Sequence, residues 1–462
     1  MKLQIQNYFK NLKNILRKID FIELYSLPGI FKIDLRNDQL LNFDSLKKSF
    51  FKKKYVINDI KKIQKSKIIF ISHYLGNIKN KNNDFYYGNL LDFLRRKKID
   101  FSIILLNKTN QPVSQIIKKY QNSNIGIAIV DNYFNPLGGL SILVNIFFIY
   151  IKFLFKQKKI IFNNNEKKIL KQKFKFRDFL SSRNTIQLTI NIKKIIDIAI
   201  PSLKKIILTY EGHSFEKLLI SHCNKNKIYT IGYYFSVIRD FDTSIFYSMG
   251  KDTNPRSLWV TGYNIKKFFK KKLKINNIES KIEVIGYSRK IKTNEKKIVK
   301  KKTILFCPEG LYSETLNMFD FASKLKKKFS SLHITLRIHP EIESFFHKKL
   351  SELDINIEIS KNKLDKDLKD AAILIYRGSS VCINAVYQKV LPVYLNLDDK
   401  INLDPLFQIS KFSISKPEDF VIILKFLSND KKLNNYLDHL KKYASSYFEN
   451  FRYKKVYKLL KL

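Results

Sequence analysis

Three short stretches carry the residue types that acid–base and phosphate chemistry need, and each lies at the end of an apolar run. The first is Glu211-Gly212-His213, after IILTY. A carboxylate at a strand tip can take a proton from an acceptor hydroxyl, and Gly212 allows the tight strand-to-helix turn that puts it there. The second is Arg337-Ile338-His339-Pro340, closing the run HITLRI. The proline fixes the backbone and holds the imidazole at the sheet edge, where it could donate to a departing phosphate oxygen. Arg337, two residues earlier, shares that face if the strand continues. The third is Arg377-Gly378-Ser379-Ser380, between AILIY and the helical VCINAVYQ. It places both serines at a helix N-terminus, which favours an anion. Each feature also has a plain structural use. A strand-end histidine often only packs, a serine there is an ordinary N-cap, and Glu216 complements the start of a helix.

Two further loops are of the same kind. Cys307-Pro308-Glu309-Gly310 follows TILF, and Gly232-Tyr233-Tyr234-Phe235-Ser236 ends the run beginning at Ile228. The second is a candidate acceptor wall built from Tyr234 and Ser236, although packing alone accounts equally well for its aromatics. His213 and His222 lack metal-ligand spacing to a partner, and no metal site is expected.

The elements that must position these loops are short apolar runs alternating with helical stretches. Lys67–His73, Phe101–Asn107, Gly126–Val130, Ile206–Tyr210, Ile228–Tyr233, Ser257–Gly262 and Ile282–Gly286 read as buried strands, and the pattern restarts at Thr303–Phe306, His333–Ile338, Ile355–Ile359, Ala372–Tyr376 and Leu391–Leu395. Continuous apolar strands separated by helices argue for doubly wound parallel sheets. The expected organisation is an N-terminal extension (1–62), a first Rossmann-like domain (63–288), a lysine-dominated linker (289–302), a second Rossmann-like domain (303–425) and C-terminal helices (426–462). Two such domains would face each other across a cleft, with ligands at the carboxyl ends of the strands.

The order of these motifs resembles a known group. An acidic-Gly motif at a strand end in the first half, a His-Pro motif in the second and a Ser pair before a helix are similar to GT-B glycosyltransferases that use CMP-activated sugars, the sialyltransferases and polysialyltransferases. The stretches TYEGHSFEKLL, GYYFSV and PEGLYSE resemble a bacterial surface-carbohydrate-biosynthesis family over roughly residues 65–430. The resemblance implies a GT-B-like α/β fold and inverting, metal-independent transfer without a cofactor. The partners it implies are a nucleotide-sugar donor and a surface-glycan or lipid-linked acceptor. It makes Glu211 the general base and His339 the group that protonates or polarises the leaving phosphate. Ser379 and Ser380 would bind that phosphate, with Arg337, Arg377, Glu309 and Gly310 around it and Gly212, His213, Tyr234 and Ser236 on the acceptor side. The sequence also departs from the pattern. Tyr210 stands where the sialyltransferase motif has a first acidic residue, and Arg377-Gly378 stand where glycerophosphotransferases have an Asp before the serines.

Composition bounds the alternatives. The 462 residues include 45% hydrophobic and 27% charged residues, which excludes global disorder and supplies at least two cores. Lys+Arg 87 against Asp+Glu 40 gives a net charge of +47. Only 12 of the basic residues are Arg, and the lysines are dispersed beside abundant Ile and Asn, which share A/T-rich codons. A specific nucleic-acid binder should concentrate Arg at bidentate contacts, so none is expected. The three cysteines are far apart and fit a reducing cytoplasm rather than a disulfide framework. One segment stands out, Leu137–Phe155 (LGGLSILVNIFFIYIKFLF), followed directly by the basic run from Lys156. It reads as a buried helix, as an interfacial helix on the inner face of an anionic membrane, or as a marginal span. Without chemistry at the loops, the chain would be a basic membrane-surface or nucleic-acid-binding protein.

Overall fold

The computed structural model describes residues 2–19, 55–76, 84–109, 111–131, 140–239, 244–246, 251–289, 303–339, 342, 357–397 and 402–461. Most of the linker 289–302, the stretch 20–54 of the extension, Pro340 and Ile355 lie outside the described residues. The chain divides into two compact units. One comprises Met1–Phe235, Thr243–Arg289 and Asn450–Leu462; the other comprises Ser236–Asp242 and Lys290–Glu449.

Unit 1 is built on eight strands: β1 (Tyr55–Ile57), β2 (Ile68–Tyr74), β3 (Phe101–Asn107), β4 (Gly126–Asp131), β5 (Lys205–Thr209), β6 (Tyr229–Tyr234), β7 (Ser257–Val260) and β8 (Lys281–Val284). Their order is β1-β4-β3-β2-β5-β6-β7-β8, parallel throughout except that β1 runs antiparallel to β4. Every residue of β2, β3 and β4 is buried, as mainly apolar strands covered on both faces must be. The core joins Phe70, Ile103, Ile129, Ile207, Ile231 and Trp259 of the sheet to Leu90 and Leu94 of one helix and Val456 and Leu460 of the C-terminal helix Tyr453–Leu460. Between β4 and β5 lies a helical layer, Leu140–Lys158, Asn164–Lys173, Phe176–Ser181 and Arg183–Ala199. With the N-terminal helix Lys2–Ile19 it packs a second cluster around Ile15, Ile146, Phe153 and Phe179.

Unit 2 has six strands, all parallel: β9 (Thr303–Cys307), β10 (His333–Leu336), β11 (Glu358–Ile359), β12 (Ile373–Tyr376), β13 (Leu391–Leu395) and β14 (Phe412–Ile414). Their order is β11-β10-β9-β12-β13-β14. In each sheet the strand order reverses once, between β2 and β5 in unit 1 and between β9 and β12 in unit 2. Both units are therefore doubly wound parallel α/β folds, as the alternation of apolar runs and helices leads one to expect, and each has a crevice-forming switch point at the carboxyl edge of its sheet.

Of the segment 137–155, residues 137–139 lie outside the described residues and the rest belongs to the helix Leu140–Lys158. Ile142, Ile146 and Phe153 are buried, while Phe147, Phe148 and Phe155 are more than half exposed. No described helix is long and apolar enough to cross a membrane. The three cysteines are free and buried.

Candidate active-site residues

Both motif groups fall at the switch points. In unit 1, β2 delivers His73 and Tyr74 and the neighbouring β5 delivers Tyr210 and Glu211. Gly212 adopts φ +78, and a Cβ there would come within 2.7 Å of the Ser244 carbonyl carbon, so only glycine makes this turn without displacing backbone. The turn is tied down from inside. The buried Glu216, in the first turn of the helix Ser214–Lys225, accepts hydrogen bonds from the backbone N–H of Glu211 (3.0 Å) and of His213 (2.8 Å) through one carboxylate oxygen. Ser244 Oγ donates to the Glu211 carbonyl at 2.8 Å. So held, the Glu211 side chain remains one-third exposed and meets His213 Nε2 at 3.2 Å.

Burial sets the protonation of the groups beneath. Glu216 is pushed up to about 7 by desolvation, and the adjoining buried Lys217 is drawn down to about 7 by the same cause. His73 is drawn down to about 3, first by burial and then by the charges of Lys108 and His213, with Glu211 acting in the opposite sense. His73 is thus a neutral imidazole at the same strand edge as Glu211, its ring edge-on to Tyr86 at 5.5 Å, and its Nδ1 has no hydrogen-bond partner among the described residues. Sequence reasoning missed it as a site residue. The signal was a histidine closing the run KIIFISH, but its relevance depends on β2 and β5 being neighbours, which no local pattern reveals. Tyr234 ends β6 and packs against Phe269 at 4.9 Å, a core contact. Ser236 falls in unit 2, with the segment Ser236–Asp242.

In unit 2, pairing of β9 with both β10 and β12 aligns three strand ends, Phe306 beside Leu336 and Cys307 beside Tyr376. The loops bearing Glu309, His339 and Ser379 therefore leave the same edge. Ser379 Oγ accepts from Val381 N–H at 3.3 Å, and Ser380 is exposed at the start of the seven-residue helix Val381–Tyr387. His339 is partly exposed, and its carbonyl accepts from Ile342 N–H. The arginines are engaged within the unit. Arg377 is 1% exposed and ion-paired to Glu314 at 2.7 Å, and its Nη1 donates to the Leu395 carbonyl. Arg337 donates to Asp367 (2.7 Å) and to the Asn362 carbonyl (2.7 Å). Glu309 pairs with Arg239 at 3.2 Å, and its carboxylate lies where a side chain on residue 378 would stand, so Gly378 is what admits it. Gly310 precedes the helix Tyr312–Lys328. Among the described residues, no three His, Cys, Asp or Glu side chains gather as a metal site would need.

No family model and no curated protein matches the sequence. Among solved structures, the chain is similar to UDP-GlcNAc 2-epimerase from Methanocaldococcus jannaschii (13% identity, 85% of this chain and 99% of that one, TM-score 0.43). It is similar also to Medicago truncatula UGT71G1 complexed with UDP-glucose (13% identity, 86% and 98% covered, TM-score 0.44). A third likeness is to the wall teichoic acid polymerase TagF (13% identity, 87% and 89% covered, TM-score 0.41).

Proposed function

We propose that the chain is a glycosyltransferase that moves a sugar from a nucleotide-activated donor, CMP-linked by the resemblance of its motifs, to a surface polysaccharide or lipid-linked glycan, with inversion and without a metal or other cofactor. The observation that carries the reading is the treatment of Glu211. A glycine turn, a buried carboxylate and a serine hydroxyl hold its backbone at a switch-point edge, while its side chain stays accessible and touches a histidine. In the proposed reaction the acceptor hydroxyl oxygen bonds to the anomeric carbon and gives its proton to Glu211. The bond from that carbon to the donor phosphate breaks, and the electron pair leaves on the nucleotide. His339 hydrogen-bonds or protonates the leaving phosphate, and Ser379 and Ser380 bind it through their hydroxyls at the positive end of the helix that follows. His213 orients Glu211. Arg337 and Arg377 hold the loops rather than the phosphate, since their guanidinium groups already serve Asp367 and Glu314. The acceptor would be met at the inner face of a membrane, in the cytoplasm.

Thermal-shift titration with CMP, UDP and GDP at fixed salt tests the donor site. Attraction to a +47 surface ranks nucleotides by charge alone. The reading requires instead a preference for CMP that His339→Ala and Ser379→Ala both lose. Glu211→Gln should lower turnover by about 10²–10⁴ with nucleotide binding unchanged. A Glu211→Gln protein that keeps its biological role would favour a basic membrane-surface protein without chemistry.

A further inference from the structure

Among the described residues, the helical layer of unit 1 leaves one face of the helix Leu140–Lys158 exposed. Ile142, Ile146 and Phe153 are consumed by the layer's own core, yet Val144, Phe147, Phe148 and Phe155 remain 47%, 51%, 63% and 64% exposed, and Ile161, just past the helix, is 92% exposed. Phe176, on the next but one helix, extends the patch by an edge-on contact with Phe147 at 6.5 Å. A contiguous apolar patch rimmed by polar groups marks a binding surface. Along the helix Leu140–Lys158 itself the charges are all of one sign. Between Asp131 and Glu166 the sequence has no acidic residue, and its only charged residues are Lys152, Lys156, Lys158 and Lys159. Three of them share one apolar concavity of about 470 Å³ with aromatic and aliphatic side chains: it is lined by Phe148, Ile151, Phe155, Lys152, Lys156 and Lys159.

We infer that this face docks on an anionic phospholipid bilayer, the helix lying in the headgroup plane with its phenylalanines among the acyl chains and its lysines at the phosphates. Charge complementarity selects that partner: a row of lysines beside a row of phenylalanines fits a surface that is apolar below and anionic above. A helix whose opposite side is already packed can dip its exposed face into the bilayer but not span it. The inference stands apart from the transferase reading, because lipid binding requires neither Glu211 nor His339.

Flotation of the full chain with phosphatidylcholine vesicles, with and without phosphatidylglycerol, tests it. The wild type should float with phosphatidylglycerol vesicles and keep part of that binding in salt that screens surface charge. Phe148→Ser with Phe155→Ser leaves the charge unchanged and should weaken binding about tenfold or more. Lys156→Gln with Lys159→Gln should weaken it about tenfold, on anionic vesicles alone. Unchanged flotation of a folded Phe148→Ser, Phe155→Ser protein overturns the inference, since attraction by net charge would then suffice. So does a wild-type dimer that this double variant splits while vesicle binding persists, which would make the face a contact between copies. Phe148→Trp gives a readout free of any folding defect: its emission should shift to the blue on anionic vesicles, and no shift rejects the insertion.

Discussion

The two strand-order reversals of this molecule hold their charges in opposite ways. At the β2–β5 edge of unit 1, Glu211 and His213 are each about one-third exposed and face one another, and the groups beneath them are buried and shifted toward neutrality. At the β9–β12 edge of unit 2, the arginines that sequence reasoning offers to a phosphate are spent on internal carboxylates, Arg377 on Glu314 and Arg337 on Asp367. On the proposed reading the first edge supplies the proton acceptor. The second uses its arginines as mortar between segments of the unit, and the proposal leaves recognition there to hydroxyls and a histidine. The lesson is that an arginine beside a motif is informative only once its partner is known, because a guanidinium held by a buried carboxylate has few donors left for a ligand.

The largest expected effect breaks the mortar. Arg377→Ala strands the carboxylate of Glu314 in an apolar interior and should destabilise the protein by about 3–5 kcal/mol in urea unfolding. Replacing both partners, as Arg377→Met with Glu314→Leu, should recover most of that loss. If Arg377 instead served a phosphate, the single variant would fold normally and lose nucleotide affinity, and the contrast between the two edges would fail.

A smaller effect concerns the neutral groups of unit 1. The folded protein holds fewer protons on His73 than the unfolded chain does between about 3 and 6.5, so stability from this residue is complete above 6.5 and is lost as pH falls through that window. Glu216 has the opposite sign. Raised from 4.5 to about 7, it favours folding where it is protonated and costs stability as pH rises from 4.5 through 7. The two trends offset each other between 4.5 and 6.5. His73→Gln should unmask the Glu216 trend and gain about 2 kcal/mol relative to wild type on going from pH 8 to pH 5. Glu216→Gln, which retains an acceptor for the two N–H groups, should do the reverse. Parallel pH–stability curves for wild type and both variants would show that neither group is held neutral.

What the sequence exposed and what it hid divide along the same line. Strands β2 to β7, β9, β10, β12 and β13 were legible because each falls in a mainly apolar run bounded by polar turns, while β8 and β11 overlap the weaker runs Ile282–Gly286 and Ile355–Ile359 only in part. The edge strands β1 and β14 were not, since three residues with partial burial carry no period. Glu211, His339 and the serines were legible as polar residues following such runs. His73 was visible as a letter but not as a site, because strand adjacency is set by tertiary packing. The burial of Arg377 was hidden for the same reason: its partner Glu314 lies on a helix that follows a different strand. Local pattern thus locates the edges of the sheets, while the assignment of charge at those edges depends on contacts between segments distant in sequence.

The smallest expected effect sharpens the comparison where, in unit 2, an ion pair adjoins the proposed phosphate-binding loop. Arg239 and Glu309 form a partly exposed pair, so Arg239→Gln should cost only about 1 kcal/mol of stability. Its effect on ligand should be of another kind. Glu309 reaches the backbone of Gly378, next to Ser379, and Arg239 offsets its charge there. Without that offset the carboxylate repels an incoming phosphate, so CMP affinity should fall a few-fold at low salt and recover as screening shortens the reach of the charge. Adding Glu309→Gln to Arg239→Gln should restore affinity without added salt. A loss that salt does not relieve would mean instead that Arg239 contacts the nucleotide itself, and unit 2 would then hold a guanidinium in reserve for its ligand, as unit 1 holds its carboxylate.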